Sequence, residues 1–89
     1  SPSQPIASTL LGMGAALSYW DPYVDQWSVD GQEISRVTDL NAAIATGEFD
    51  AVLLLQQHKQ LDLAALQASA VPVFDTRAVL APADLVERL

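Results

Sequence analysis

Cysteine is absent from this 89-residue chain, which removes disulfides, thiolate catalysis and cysteine-type metal sites. Positive charge is scarce. Arg36, Lys59, Arg77 and Arg88 stand against 11 Asp and Glu residues, for a formal net charge of −7. Binding to a nucleic acid or to an anionic membrane surface needs many cations to neutralise phosphates, so the charge balance argues against both. Histidine occurs once, at position 58, with no Cys beside it, and cannot be half of a metal site. No apolar run approaches the ~20 residues of a membrane span, and no basic-then-apolar leader is visible. Internal repeats and low-complexity segments are also missing. The chain opens on Ser1 rather than Met, so it reads as a processed form or a fragment.

Against these absences, hydrophobic residues make up 51% of the chain, enough for one small domain, residues 1–89, with a real core. Three apolar runs each end in a polar tip. Ala15–Trp20 runs into Asp21-Pro22-Tyr23, Ala51–Leu55 into Gln56–Gln60, and Val71–Phe74 into Asp75-Thr76-Arg77. Ala51–Leu55 is branched, continuous and uncharged, which predicts the central strand. Pro72 removes a ladder donor, so Val71–Phe74 is either an edge strand or has Pro72 among its first residues. Ile34–Val37 alternates and reads as a short edge strand. Residues 23–32 read as irregular, with a turn at Asp30-Gly31.

Helices are predicted between the strands. Ser1 as cap and Pro2 at the first position start one over Pro2–Leu11. Ile6, Leu10 and Met13 recur along it, and Gly12 or Gly14 ends it. Thr38 or Asp39 caps a second helix with Leu40, Ala43 and Ile44 as its apolar stripe and Gly47 at its end. Asp62 caps a third, to Ala68, with Leu63 and Leu66 facing in. Ala81-Pro82-Ala83-Asp84 starts a short fourth, with Arg88 suited to the last turn.

Such alternation with short links predicts an α/β fold with a parallel sheet. Ligands of such sheets sit outside the carboxyl ends of the strands, so the three tips are where a site would form. Asp21 resembles a catalytic carboxylate, but Asp-Pro after a strand is more often a turn former. Tyr19, Trp20, Tyr23 and Trp27 are placed to stack a base or, more ordinarily, to pack under helices. A phospho-receiver shares the alternation but needs clustered acids at the first strand end and a late Lys, and neither is present.

The ordered set of motifs resembles the C-terminal domain of the UDP-glucose/GDP-mannose dehydrogenase family. The matching residues are Ser1-Pro2, Gly14-Ala15 leading to Tyr19-Trp20-Asp21-Pro22-Tyr23-Val24, Thr38-Asp39-Leu40 with Ala42-Ala43, Asp50–Leu55 with His58, and Val73-Phe74-Asp75-Thr76-Arg77 with Val79-Leu80. The set is most similar to the branch acting on UDP-N-acetyl-hexosamines. The resemblance implies a Rossmann-like three-layer domain that binds the UDP part of a UDP-sugar. It also implies a parent enzyme that oxidises the sugar C6 alcohol to a carboxylate with NAD, in the cytoplasm, for polysaccharide biosynthesis. The NAD-binding and catalytic-Cys domains of that parent lie outside this chain, which has no Gly-x-Gly-x-x-Gly run and is not expected to bind NAD or catalyse alone.

Within the resemblance, Arg77 is the arginine implied to contact the bound nucleotide, where a guanidinium suits phosphate oxygens. The alternative is a surface Arg paired with Asp75. His58 and Lys59, on the neighbouring tip, are weaker substrate-binding candidates. A lone His at a strand end more often makes a backbone hydrogen bond, and Lys59 is otherwise solvated. Family members carry a strand and a Lys-bearing loop before Ser-Pro that is not seen here. Gln56 replaces a usual Thr, and Ala78 a usual Asn or Gly. These departures bear on nucleotide affinity. A free-standing interaction module without ligand or catalysis is the alternative function.

In the resembled family the strand before Ser-Pro lies between the first and second apolar runs. Here those runs either pair directly, or the slot takes a strand from another chain or copy. The second outcome is expected, because an unfilled slot is a pairing template. Sedimentation checks it: association, or a companion peptide by mass spectrometry, is expected, and a clean monomer at high concentration removes the idea.

Overall fold

The computed structural model of the chain describes residues 3–56, 59–69, 71–75 and 86–88. It shows a small α/β protein with short parallel sheets, an arrangement compatible with a Rossmann-like domain. The chain forms two compact units, Ser1–Thr38 and Asp39–Leu89.

The first unit begins with helix α1, Ser3–Gly12. The predicted start at Ser1-Pro2 falls outside the described residues. Backbone bonds close the helix: Met13 N–H donates to Thr9 O and Leu10 O, both at 3.1 Å, Gly14 N–H to Leu11 O and Ala15 N–H to Leu10 O, both at 3.0 Å. Gly14 has φ +89°. This is a Schellman end, with the left-handed residue supplied by the side chain that lacks a Cβ. The cap turns Met13 outward, to 78% exposure. The apolar line of the helix therefore runs through Ala7 and Leu11 and not, as the spacing predicts, on to Met13.

Strand β1 is only Ser18–Tyr19, shorter than the predicted Ala15–Trp20. Ala15 is consumed by the helix cap, and Ala15 and Ala16 are exposed, with little apolar surface to bury. Next come β2, Ser28–Val29, and β3, Gln32–Glu33, an antiparallel hairpin where residues 23–32 are predicted as irregular, reaching one residue beyond them. Its turn is the predicted Asp30-Gly31, with φ 52° and 77°. Positive φ at both central residues matches the right-handed twist of the flanking strands. Strand β4, Ser35–Arg36, pairs parallel with β1, and Val37 N–H extends the ladder to Tyr19 O at 2.7 Å.

Ala7, Val29 and Ile34 form the core of this unit, with Leu11, Leu17, Tyr19 and Trp27 packed on it. Val29 is 0% exposed. The Tyr19 and Trp27 rings meet edge to face, 5.5 Å between centroids. Polar bonds pin α1 to the hairpin: Trp27 Nε1–H to Gln4 Oε1 at 3.0 Å, Gln4 Nε2–H to Ser28 O at 3.3 Å, and Ser8 O–H to Asp30 Oδ2 at 2.6 Å.

The second unit begins with α2, Leu40–Ala45. Asp39, one of the two predicted caps, accepts from Ala42 N–H at 3.1 Å. Gly47, φ 72°, ends the helix as expected. Strand β5 is Val52–Leu54, helix α3 is Leu63–Ala68, strand β6 is Val73–Asp75 and strand β7 is Val86–Arg88. Asp62 caps α3 by accepting from Ala65 N–H at 2.9 Å. The Leu63 side chain and the predicted helix start at 81–84 lie outside what the structure describes.

All three strands run parallel in the order β5–β6–β7. Two expectations are corrected here. The uncharged β5 is not the central strand; β6 is. Pro72 permits this because it directly precedes the strand, so its missing N–H falls outside the ladder while its carbonyl still accepts from Val52 N–H at 2.9 Å. Residues 86–88 are strand and not the last turn of a helix, since they pair with the edge of β6 that β5 leaves open. β1 belongs to a two-stranded sheet with β4, within the first unit.

Val52, Val73 and Val86 share one register row, and Leu54, Asp75 and Arg88 another. Positions two apart share a face. Val73 and Leu54 are buried on it, and Leu53, on the other, is 37% exposed. Ala43, Ile44, Leu61, Leu66 and Val71 complete the buried set, and α2 and α3 touch each other. Leu66, at 2% exposure, is the inward position predicted for α3.

Leu54→Asp should abolish the cooperative unfolding of this unit. An unpartnered carboxylate in the core costs an energy comparable to the roughly 5–15 kcal/mol that holds a domain together. Thermal denaturation followed by circular dichroism checks this, and a wild-type melt would place Leu54 outside the core.

Candidate functional site

Because the register runs Leu54–Asp75–Arg88, the three parallel strands end level. Everything that leaves these ends starts from one sheet edge. Gln56 and Lys59 follow β5, and Thr76-Arg77 follow Asp75 in the sequence. Lys59 is exposed in a turn. His58 and Arg77, with residues 76–85, lie outside the described residues. Two of the three predicted tips thus spring from the carboxyl edge of a single sheet.

The third tip, Asp21-Pro22-Tyr23, belongs to the first unit, and its bonds give it a structural role. The Asp21 carboxylate accepts from Tyr23 N–H at 2.7 Å and from Val24 N–H at 3.2 Å, a side chain closing its own turn. Tyr19 O–H donates to Val24 O at 2.8 Å. Arg36 donates to the Asp21 carbonyl at 3.0 Å and pairs with Asp25 at 3.1 Å. Tyr19 and Trp27 are half-buried against the core of the first unit and meet each other edge to face, the packing role also expected for them.

One N-terminal donor each of α2 and α3, Ala42 N–H and Ala65 N–H, is engaged by Asp39 and Asp62. Among the described residues, no three His, Cys, Asp or Glu side chains are placed to hold a metal ion. No helix of the described residues is long and apolar enough to cross a membrane.

Arg88 is the residue that the sequence reading put elsewhere. It ends β7, level with Asp75, at the edge from which the other two tips leave. The one local signal for a strand there is β-branched Val86.

A parallel α/β sheet with its polar loops at the carboxyl edge is the layout of a ligand-binding α/β domain. The particular ligand class comes from comparison with known proteins. The UDP-binding domain of the UDP-glucose/GDP-mannose dehydrogenase family matches residues 1–82. The chain belongs to that family. No curated protein and no solved structure matches it.

The family's enzymes are NAD-dependent dehydrogenases, but the residues here do not fit that cofactor. A dinucleotide site needs its glycines between a strand and a helix N-terminus, where N–H groups meet the pyrophosphate. Gly12 and Gly14 lie at the opposite pole, the carbonyl end of α1. Gly31 is in the hairpin turn and Gly47 follows the end of α2.

The turn role of Asp21 has a direct check. Asp21→Ala should cost about 1–2 kcal/mol, from two lost hydrogen bonds, and Asp21→Asn, whose amide oxygen still accepts, should cost less. Denaturant midpoints of the two variants measure this; equal stability of Asp21→Ala and wild type would remove the role.

Proposed function

We propose that the chain is the nucleotide-binding, Rossmann-like C-terminal part of an NAD-dependent UDP-sugar 6-dehydrogenase, which oxidises the sugar C6 alcohol to a carboxylate. The family match over residues 1–82 carries this reading. The level strand ends support it, because they start two candidate loops from the sheet edge where α/β domains take ligands. NAD and the oxidation itself belong to other parts of the parent enzyme, in keeping with the misfit of the glycines. This part holds the UDP moiety.

Arg77 is the main contact, its planar guanidinium matched to phosphate oxygens. His58 and Lys59 line the neighbouring loop as weaker contacts. The partners are the UDP-sugar and the remaining domains of the dehydrogenase.

Titration of the 89-residue chain with UDP, followed by amide chemical shifts, tests the reading. Shifts should concentrate around Lys59, Asp75 and Arg77. No change at millimolar UDP would leave a ligand-free interaction module as the better description. In the parent enzyme, Arg77→Ala should raise KM for the UDP-sugar more than KM for NAD. A lost charge-assisted hydrogen bond is worth about 1.5–3 kcal/mol. Unchanged sugar-nucleotide kinetics would remove Arg77 from the site.

A further inference from the structure

Among the described residues, Asp30 is the one non-glycine residue with positive φ, at 52°, and Gly31 follows it at 77°. Both are exposed at the tip of the β2–β3 hairpin. Asp30 is also the one aspartate of the chain with glycine after it. That pair has a chemistry of its own. A backbone amide nitrogen can attack the side-chain carboxyl group of the residue before it, and a bulky side chain on the nitrogen's own residue shields it. Gly31 has no side chain, and the space a Cβ would fill is open, with no atom within 4 Å. The left-handed conformation of Asp30 costs energy that an L-residue recovers when the turn opens.

The same turn carries an opposing restraint. Ser8 O–H donates to Asp30 Oδ2 at 2.6 Å. Ser8 lies on α1, which Gln4 fixes to the hairpin through its bonds to Trp27 and Ser28. The carboxylate is therefore tethered, and the tether limits the side-chain torsions that carry Cγ to the Gly31 nitrogen.

We propose that the Asp30-Gly31 turn is a site of spontaneous isomerisation to isoaspartate, and that the Ser8 bond sets its rate. The Gly31 nitrogen attacks Cγ of Asp30 in its acid form. An N–Cγ bond forms, the carboxyl hydroxyl leaves with the amide proton as one water, and a succinimide ring results. Water then opens the ring. Breaking the N–Cγ bond restores aspartate. Breaking the bond between that nitrogen and the Asp30 backbone carbonyl leaves the chain running through Cβ and Cγ. No reactant other than water enters, and the water lost is regained. The product has one more backbone atom in a two-residue turn, so the Val29–Gln32 pairing loses its register and the buried Val29 and Ile34 lose their seat. The modification acts on the first unit and is independent of nucleotide binding.

Ageing of the 89-residue chain at physiological temperature and pH, followed by peptide mapping that separates isoaspartate from aspartate, tests this. Isoaspartate should accumulate at position 30 ahead of every other aspartate, preceded by a species lighter by one water. Ser8→Ala should speed the conversion about fivefold, the worth of one hydrogen bond. Ser8→Thr, which keeps the hydroxyl, should not. The purified isoaspartyl form should exchange its Ile34 amide, bonded to Trp27 O at 2.8 Å, faster than the unmodified chain. An unmodified Asp30 in the folded chain, while the urea-unfolded chain isomerises there, overturns the proposal. So does equal accumulation at other aspartates. A wild-type rate in Ser8→Ala overturns the role of Ser8, as does an acceleration in which the variant has already lost protection of the Ile34 amide, since the hairpin has then unfolded.

Discussion

Backbone pairing along both sides of Val73–Asp75 is the constraint on which the second unit depends. Among the described residues, β6 is the strand of this sheet with a neighbour on each edge. Its pairing with β5 and β7 sets one register, and that register places the Val52–Val73–Val86 row on the face where Val73 is 1% exposed. The same register ends the strands level, so the candidate loops after β5 and β6 and the terminal Arg88 start from one edge. A slip of one residue would send the buried Val73 and Leu54 to opposite faces of the sheet from their present partners. Packing and site placement are thus two consequences of the same ladder.

Charge explains the economy of the candidate site. An acidic chain that takes an anionic ligand works against its own field, and few cations are at hand to offset it. One is committed elsewhere: Arg36 ties the loop from Asp21 to Asp25, where the exposed ion pair with Asp25 adds little stability. The Asp21 loop illustrates how a carboxylate with a catalytic appearance is absorbed by turn geometry. Two backbone N–H groups at 2.7 and 3.2 Å satisfy it, and nothing in that arrangement calls for proton transfer.

The first unit is held differently. Its strands are two residues long, too short for ladders to carry the stability. Side-chain burial takes over, with Val29 and Ile34 packed against Ala7 of α1, and the Gln4–Trp27 and Ser8–Asp30 bonds fixing the hairpin on the helix. Tyr19 contributes twice, through its ring to Trp27 and through its hydroxyl to Val24.

Local features were legible in the residues because their causes are local. An Asp before an apolar stripe can reach the N–H three positions on, and Asp39 and Asp62 both do so. Gly14 and Gly47 supply the left-handed conformation after a helix, and Asp30-Gly31 the positive-φ turn. Leu66 reads as inward from spacing alone. The site residues were legible only as chain positions: Arg77 and His58 follow from motif, and no spacing says what they touch. Strand order was not legible. Ala51–Leu55 has the composition of a central strand, and the centre went to the strand behind Pro72, because a missing N–H matters only inside the ladder. Nor could residues 86–88 be assigned from their own chemistry, since Pro82 and Asp84 favour a helix start while the open edge of β6 offers three residues of backbone pairing. Composition and short-range spacing determined the caps, the turns and the α/β alternation. Which strands became neighbours, and hence that Arg88 stands beside Asp75, was decided only by tertiary pairing, because hydrogen bonding between strands joins residues whose separation in the chain carries no local signal.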